Sequence, residues 1–112
     1  MRRRGENISS FEVERVVESH PSVLEATAYA VPSDVGEDDV MVAVVLRPGE
    51  NIDAPALYEH CREEMPRYMV PRYIRFMEDL PKTETHRVKK PVLQSEGVTS
   101  DTWDEEKERG RR

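Results

Sequence analysis

The sequence predicts an α+β domain, a small three-stranded sheet packed by helices, with an N-terminal strand or loop and a C-terminal basic loop. Two observations place the strands: residues 23–31 alternate in polarity, whereas 40–46 are apolar throughout. A third places the helices, because one begins with a complete capping signal at Ser9 and another stops at Pro66.

Ile8-Ser9-Ser10-Phe11-Glu12-Val13 lets Ser9 cap the amide of Glu12, Glu12 reach back to Ser9, and Ile8 staple onto Val13. Val13, Val16, Val17 and His20 then share one helix face, and Pro21 ends the helix. His20 reads as a packed residue or a partner of the helix C-terminus. In the strand that follows, Val23, Glu25, Thr27, Tyr29 and Val31 point one way. Leu24, Ala26, Ala28 and Ala30 point the other, a small-residue face on which a helix can pack closely. Residues 32–39 read as a loop. The run Val40–Leu46 has no polar side, as expected of a strand covered on both faces.

Pro48-Gly49 turns the chain, and Asp53 caps a second helix that tolerates Pro55 in its first turn. Leu57, Cys61 and Met65 form its buried stripe, so Cys61 is a core residue. Tyr73–Met77 reads as the third strand, with Ile74 and Phe76 inward. After the polar loop 80–85 comes the basic segment His86-Arg87-Val88-Lys89-Lys90. Beyond Leu93 the only large apolar side chain is Trp103, so 1–93 reads as the folded domain and 94–112 as a charged, mobile tail.

The chain has 112 residues, a length that suits one domain, and its composition is 37% hydrophobic and 36% charged. No stretch approaches the ~18 apolar residues of a membrane-spanning helix. One cysteine precludes an internal disulfide and suits a reducing, cytoplasmic setting. Three histidines and that cysteine, widely spaced, make no metal-ligand pattern. The net charge of −6 conceals a polarity: residues 32–65 carry 2 basic against 9 acidic side chains, and 66–92 carry 7 against 3. The acidic balance argues against nucleic acid. The basic segment, with the Arg2–Arg4 run, suits a phosphorylated ligand if the fold joins them, or else is a solvated face. The sequence contains no nucleophile paired with a base and no phosphate-binding glycine loop.

The order of motifs resembles the C-terminal domain of AMP-forming acyl-CoA synthetases, the adenylate-forming superfamily. Arg3-Arg4-Gly5-Glu6-Asn7-Ile8-Ser9-Ser10-Phe11-Glu12-Val13-Glu14 resembles its opening signature. Leu80-Pro81-Lys82-Thr83-Glu84-Thr85 resembles the approach to its last, which normally continues into Gly-Lys. His20-Pro21-Ser22-Val23 and Val70-Pro71-Arg72 also match, and Thr102-Trp103-Asp104 is similar to the carnitine/crotonobetaine-CoA ligase-like branch.

The resemblance implies a lid that serves two steps, adenylation of a carboxylate by ATP and transfer of the acyl group to coenzyme A. A large N-terminal adenylation domain, absent from this chain, would be its partner. That domain would hold Mg2+ and the small carboxylic acid, and Met1 would be an internal residue or an added start. Carried over residue by residue, the resemblance puts Gly5 beside the pantetheine arm with Arg4 and Glu6 flanking it. Arg72 would be a cation for the CoA phosphates and Tyr68 a nucleotide partner. Read without the resemblance, Gly5 is a turn glycine and Tyr68 a packing residue. The family's Gly-Lys is His86-Arg87 here, so Arg87 takes the place of the adenylation lysine. Lys89 or Lys90 could take that role only through a register shift. The alternative function is a degenerate lid that acts as an interaction or regulatory domain.

Overall fold

The computed structural model describes residues 1–3, 5–33 and 36–110. Strands β1 (Arg2–Arg3) and β2 (Glu6–Asn7) form a hairpin. Helix α1 (Ser10–Glu18) follows, with the Ser9 hydroxyl accepting from the Glu12 amide at 3.3 Å. Ile8, Val13 and Val17 are buried in one cluster, which puts both halves of the expected staple in the core.

Strand β3 (Val23–Pro32) pairs antiparallel with β4 (Asp38–Leu46), in register from Val23↔Leu46 to Pro32↔Asp38. A bulge between Val23 and Glu25 resets the alternation. Val23 therefore joins the Ala26 and Ala28 face against α1 instead of the Tyr29 and Val31 face expected for it.

Helix α2 (Ala54–Glu64) is capped by Asp53, whose Oδ1 accepts from the Ala56 amide at 2.9 Å. Leu57, Cys61 and Met65 are all buried. The helix carries the chain across the sheet, so that β5 (Tyr73–Phe76) enters parallel to β4, with Met41 opposite Tyr73. A short 3-10 turn, Arg67–Met69, precedes β5.

The sheet has four strands, not three. Trp103–Asp104, β6, pairs antiparallel with β5 and gives the order β3-β4-β5-β6. Two residues show no alternation, so β6 exists only through its register with Tyr73 and Ile74. The segment beyond Leu93 holds more than this strand: helix α3 (Lys90–Glu96) crosses the expected boundary, and α4 (Glu105–Gly110) follows β6. A helix of seven residues has too few turns to be stable alone. Leu93, fully buried against the sheet, anchors α3 with about 1.5–3 kcal/mol of apolar burial.

The sheet thus has two apolar faces. Val40, Val42 and Val44 pack with α1 and α2, while Met41, Ala43 and Val45 pack with Tyr29, Val31, Tyr73, Leu80 and Leu93. This explains the unbroken apolar run of β4. The outer edge of β3 is covered by side chains. Ala26 N–H donates to Glu18 Oε2 at 3.1 Å and Ala28 N–H to Glu14 Oε2 at 2.8 Å, while Gln94 Nε2 donates to the Ala30 carbonyl at 3.4 Å.

Candidate functional site

Arg87 lies on a tight hairpin whose legs meet at the bridge Lys82↔Val88. Thr83 organises the turn. Its N–H donates to the Arg87 carbonyl at 2.8 Å, its carbonyl accepts from His86 N–H at 2.9 Å, and its Oγ1 accepts from Arg87 N–H at 3.1 Å. His86 closes the loop at φ +63, in the left-handed region, as a residue after a type I turn does when it forms a bulge. This is the position at which the resemblance places glycine, and a side chain there costs roughly 1–2 kcal/mol of backbone strain.

Both legs are tied down by ion pairs. Lys82 Nζ is 2.9 Å from Glu25 Oε1 on β3, and Lys90 Nζ is 2.9 Å from Glu14 Oε2 on α1. The hydrogen bond to Glu25 raises the pKa of Lys82. Lys89 N–H donates to the Pro81 carbonyl at 2.8 Å. The Arg87 side chain is exposed and has no ion pair among the described residues, so its guanidinium is available to an anion.

The opening signature folds as the β1–β2 hairpin. Gly5 takes φ +78, and a Cβ there would meet nothing within 4 Å among the described residues. The hairpin therefore needs glycine for its turn, not for internal space. Arg4 lies outside the described residues, as does the side chain of Glu6, whose backbone pairs with Arg3. The Arg2 amide donates to Asp38 Oδ2 at 3.1 Å and docks the hairpin at the start of β4.

Arg72 is close by and engaged. Its Nε and Nη2 form a fork on Asp104 at 3.0 and 3.2 Å, Nη1 meets Asp39 at 3.0 Å, and Nε lies 2.7 Å from Glu106. Burial opposes ionisation of Asp104. The hydrogen bond and charge of Arg72, with the amides of Glu106 and Lys107, nonetheless hold its carboxyl below the usual range. Tyr68, in the 3-10 turn, is partly buried against the main cluster.

Sequence reasoning missed a cleft of about 490 Å³ beside this turn. Tyr58, Arg62, Arg67, Trp103 and Glu105 contribute to its walls, with the Tyr58 and Trp103 rings 5.4 Å apart. These residues come from α2, the turn and β6–α4, so no local pattern connects them. Among the described residues, no group of three or more His, Cys, Asp or Glu side chains is placed to hold a metal ion. No helix among them is long and apolar enough to cross a membrane.

The two signature hairpins lie far apart. The β1–β2 hairpin is docked at Asp38, whereas Lys82 ties the Arg87 hairpin to Glu25, which pairs with Val45. Seven strand steps of about 3.4 Å separate Asp38 from Val45, roughly 24 Å. One small sheet thus carries two polar sites at opposite ends of β4.

This architecture belongs to a known class. Residues 12–87 match the family model described as the AMP-binding enzyme C-terminal domain, and the chain belongs to that family. It is 42% identical over 89 residues to the peroxisomal trans-cinnamate:CoA ligase of Petunia hybrida, an alignment covering 80% of this chain and 16% of that protein. It is 32% identical over 94 residues to the crotonobetaine/carnitine–CoA ligase of Proteus mirabilis, covering 84% of this chain and 18% of that one. The branch suggested by Thr102-Trp103-Asp104 is therefore represented among the relatives, at lower identity than the plant enzyme. The ATP-bound MatB structure from Rhodopseudomonas palustris superimposes with a TM-score of 0.77 at 26% identity, over 81% of this chain and 18% of that one. The chain spans about a sixth of the length of these relatives.

Proposed function

We propose that this chain is the mobile C-terminal domain of an ATP-dependent, AMP-forming acyl-CoA ligase, inactive without its large N-terminal domain. In the first step a carboxylate oxygen attacks the α-phosphorus of ATP and pyrophosphate leaves. In the second the thiol of coenzyme A attacks the acyl carbonyl, loses its proton and displaces AMP. The observation that carries the reading is the tethered hairpin that presents Arg87, without an ion pair among the described residues, where the family has its adenylation lysine.

Arg87 would stabilise charge on the phosphoryl oxygens during adenylation, its planar fork replacing an ammonium point charge. Gly5, between Arg4 and Glu6, would line the pantetheine path at the other end of β4. Tyr68 and Arg72 would meet the CoA nucleotide. The neighbouring cleft supports that assignment with two aromatic rings and Arg67, although Arg62 is paired with Glu59, and Glu105 and Glu108 also line it. A phosphate reaching Arg72 would displace Glu106, the most exposed of its three carboxylates. Mg2+ and the acyl pocket belong to the N-terminal domain in this reading, and the location proposed is cytoplasmic.

The test follows the two half-reactions separately in the ligase containing this chain. Arg87→Ala is expected to slow carboxylate-dependent pyrophosphate release by about 100- to 1,000-fold, while thioester formation from supplied acyl-adenylate is retained. Unchanged pyrophosphate release would remove Arg87 from the chemistry and favour a degenerate lid with an interaction role.

A further inference from the structure

We propose that Glu25 and Glu14 are positioning residues for Arg87, holding the two legs of its hairpin through Lys82 and Lys90; this rests on the adenylating role proposed for Arg87. Lys82 precedes the turn, and Lys90, the first residue of α3, continues the leg after it. Each meets its carboxylate at 2.9 Å, with Asp79 Oδ1 a more distant 3.8 Å from Lys82 Nζ. The two acids lie on β3 and α1, elements packed together through Val13, Val17, Ala26 and Ala28, so both legs are fixed to one rigid body. Glu14 is itself immobilised. Its Oε2 accepts from Ala28 N–H at 2.8 Å and from Thr27 Oγ1 at 3.2 Å, which makes it an oriented acceptor for Lys90.

The arrangement separates charge from chemistry. Lys82 and Lys90 are neutralised by their partners, whereas Arg87 projects beyond them without one among the described residues. An incoming triphosphate therefore meets Arg87 and the exposed Lys89 beside it in preference to Lys82 and Lys90. The Thr83 hydrogen bonds fix the turn internally, but they do not fix its direction relative to the sheet. That direction is set by the two ion pairs, together with the buried side chain of Leu80 and the partly buried Val88. Small displacements of a charged group are costly when it must stabilise a developing oxyanion, so losing a tether should appear in the chemical step.

All four side chains are partly exposed, so the pairs contribute little to folding stability and single neutral variants keep the fold. In the ligase containing this chain, Glu25→Gln and Lys90→Met are each expected to lower the adenylation kcat roughly tenfold. The KM for ATP and thioester formation from supplied acyl-adenylate should stay within about twofold. The charge-swapped pair Glu25→Lys with Lys82→Glu should recover most of the loss. Added to Arg87→Ala, Glu25→Gln should cost nothing further, because the tether acts only through that arginine.

Equal losses in both half-reactions would show a structural role and overturn the proposal. An unchanged kcat in Glu25→Gln, with Arg87→Ala still impaired, would overturn the positioning role alone. If Arg87→Ala itself leaves adenylation intact, the adenylating role fails and the positioning role with it.

Discussion

Replacing Asp104 with Ala tests whether the late strand β6 is held by the charge cluster around Arg72. Asp104 side-chain exposure is 7% and that of Arg72 is 24%. Exposed ion pairs contribute up to about 1 kcal/mol, whereas removing one partner of a fully buried pair costs about 3–5 kcal/mol. This pair lies between those limits. Its geometry is bidentate, but Asp39 and Glu106 remain to balance Arg72 after the substitution. Asp104 Oδ1 also accepts from the Glu106 amide at 3.0 Å, so the start of α4 loses its cap as well. The expected loss is about 2 kcal/mol. For a domain of this size, that lowers Tm by roughly 8 °C, measured by circular dichroism on the 112-residue chain.

The pH dependence separates charge from packing. The folded state depresses the Asp104 pKa, so its stabilisation is complete above the ordinary carboxylate range and is lost as pH falls through the depressed value. The difference in stability between the parent and Asp104→Ala should therefore narrow below about pH 4. Asp104→Asn, which keeps a capping oxygen but not the charge, should lose most of the same stability near neutral pH. A change in Tm below about 2 °C for Asp104→Ala would refute the reasoning, because the bidentate pair would then contribute no more than a surface contact.

Two further outcomes follow from local geometry. His86→Gly removes a side chain from a left-handed position and should stabilise the hairpin by up to about 1 kcal/mol; urea denaturation reads this, and a destabilised variant would contradict the strain. Cys61 is fully buried, and burial pushes its thiol up to about 12. A thiol reagent near neutral pH should therefore label it only as fast as the domain unfolds, and rapid labelling of the native chain would show that α2 is not packed as described.

The elements legible in the sequence are those whose signals are local. Ser9 and Asp53 each lie three residues from the amide they cap, and the apolar run of β4 declares burial on both faces. Leu80-Pro81-Lys82-Thr83 likewise fixed attention on Arg87 because the whole turn is contiguous. What escaped depends on distant partners. β6 is strand only opposite Tyr73 and Ile74, α3 buries chiefly Leu93, and the bulge after Val23 is set by its pairing with β4. The same holds for the site: Lys82 finds Glu25 across 57 residues, and Arg72 meets Asp39 and Asp104 more than 30 residues away on either side. The resemblance gave Arg72 as a cation for the CoA phosphates, and its pairing with Asp39 and Asp104 was invisible because neither acid is near it in the chain.

The glutamates of α1 that receive the Ala26 and Ala28 amides also bear on how this domain meets other chains. A strand at the border of a sheet ordinarily invites another chain to extend it, which is a route to aggregation. Here two successive outward amides of β3 are already taken by carboxylates, and the opposite border is only two residues long. A strand from a second copy would have to displace both carboxylates from those amides before it could pair there. Neither border of this sheet therefore offers a ready template for growth.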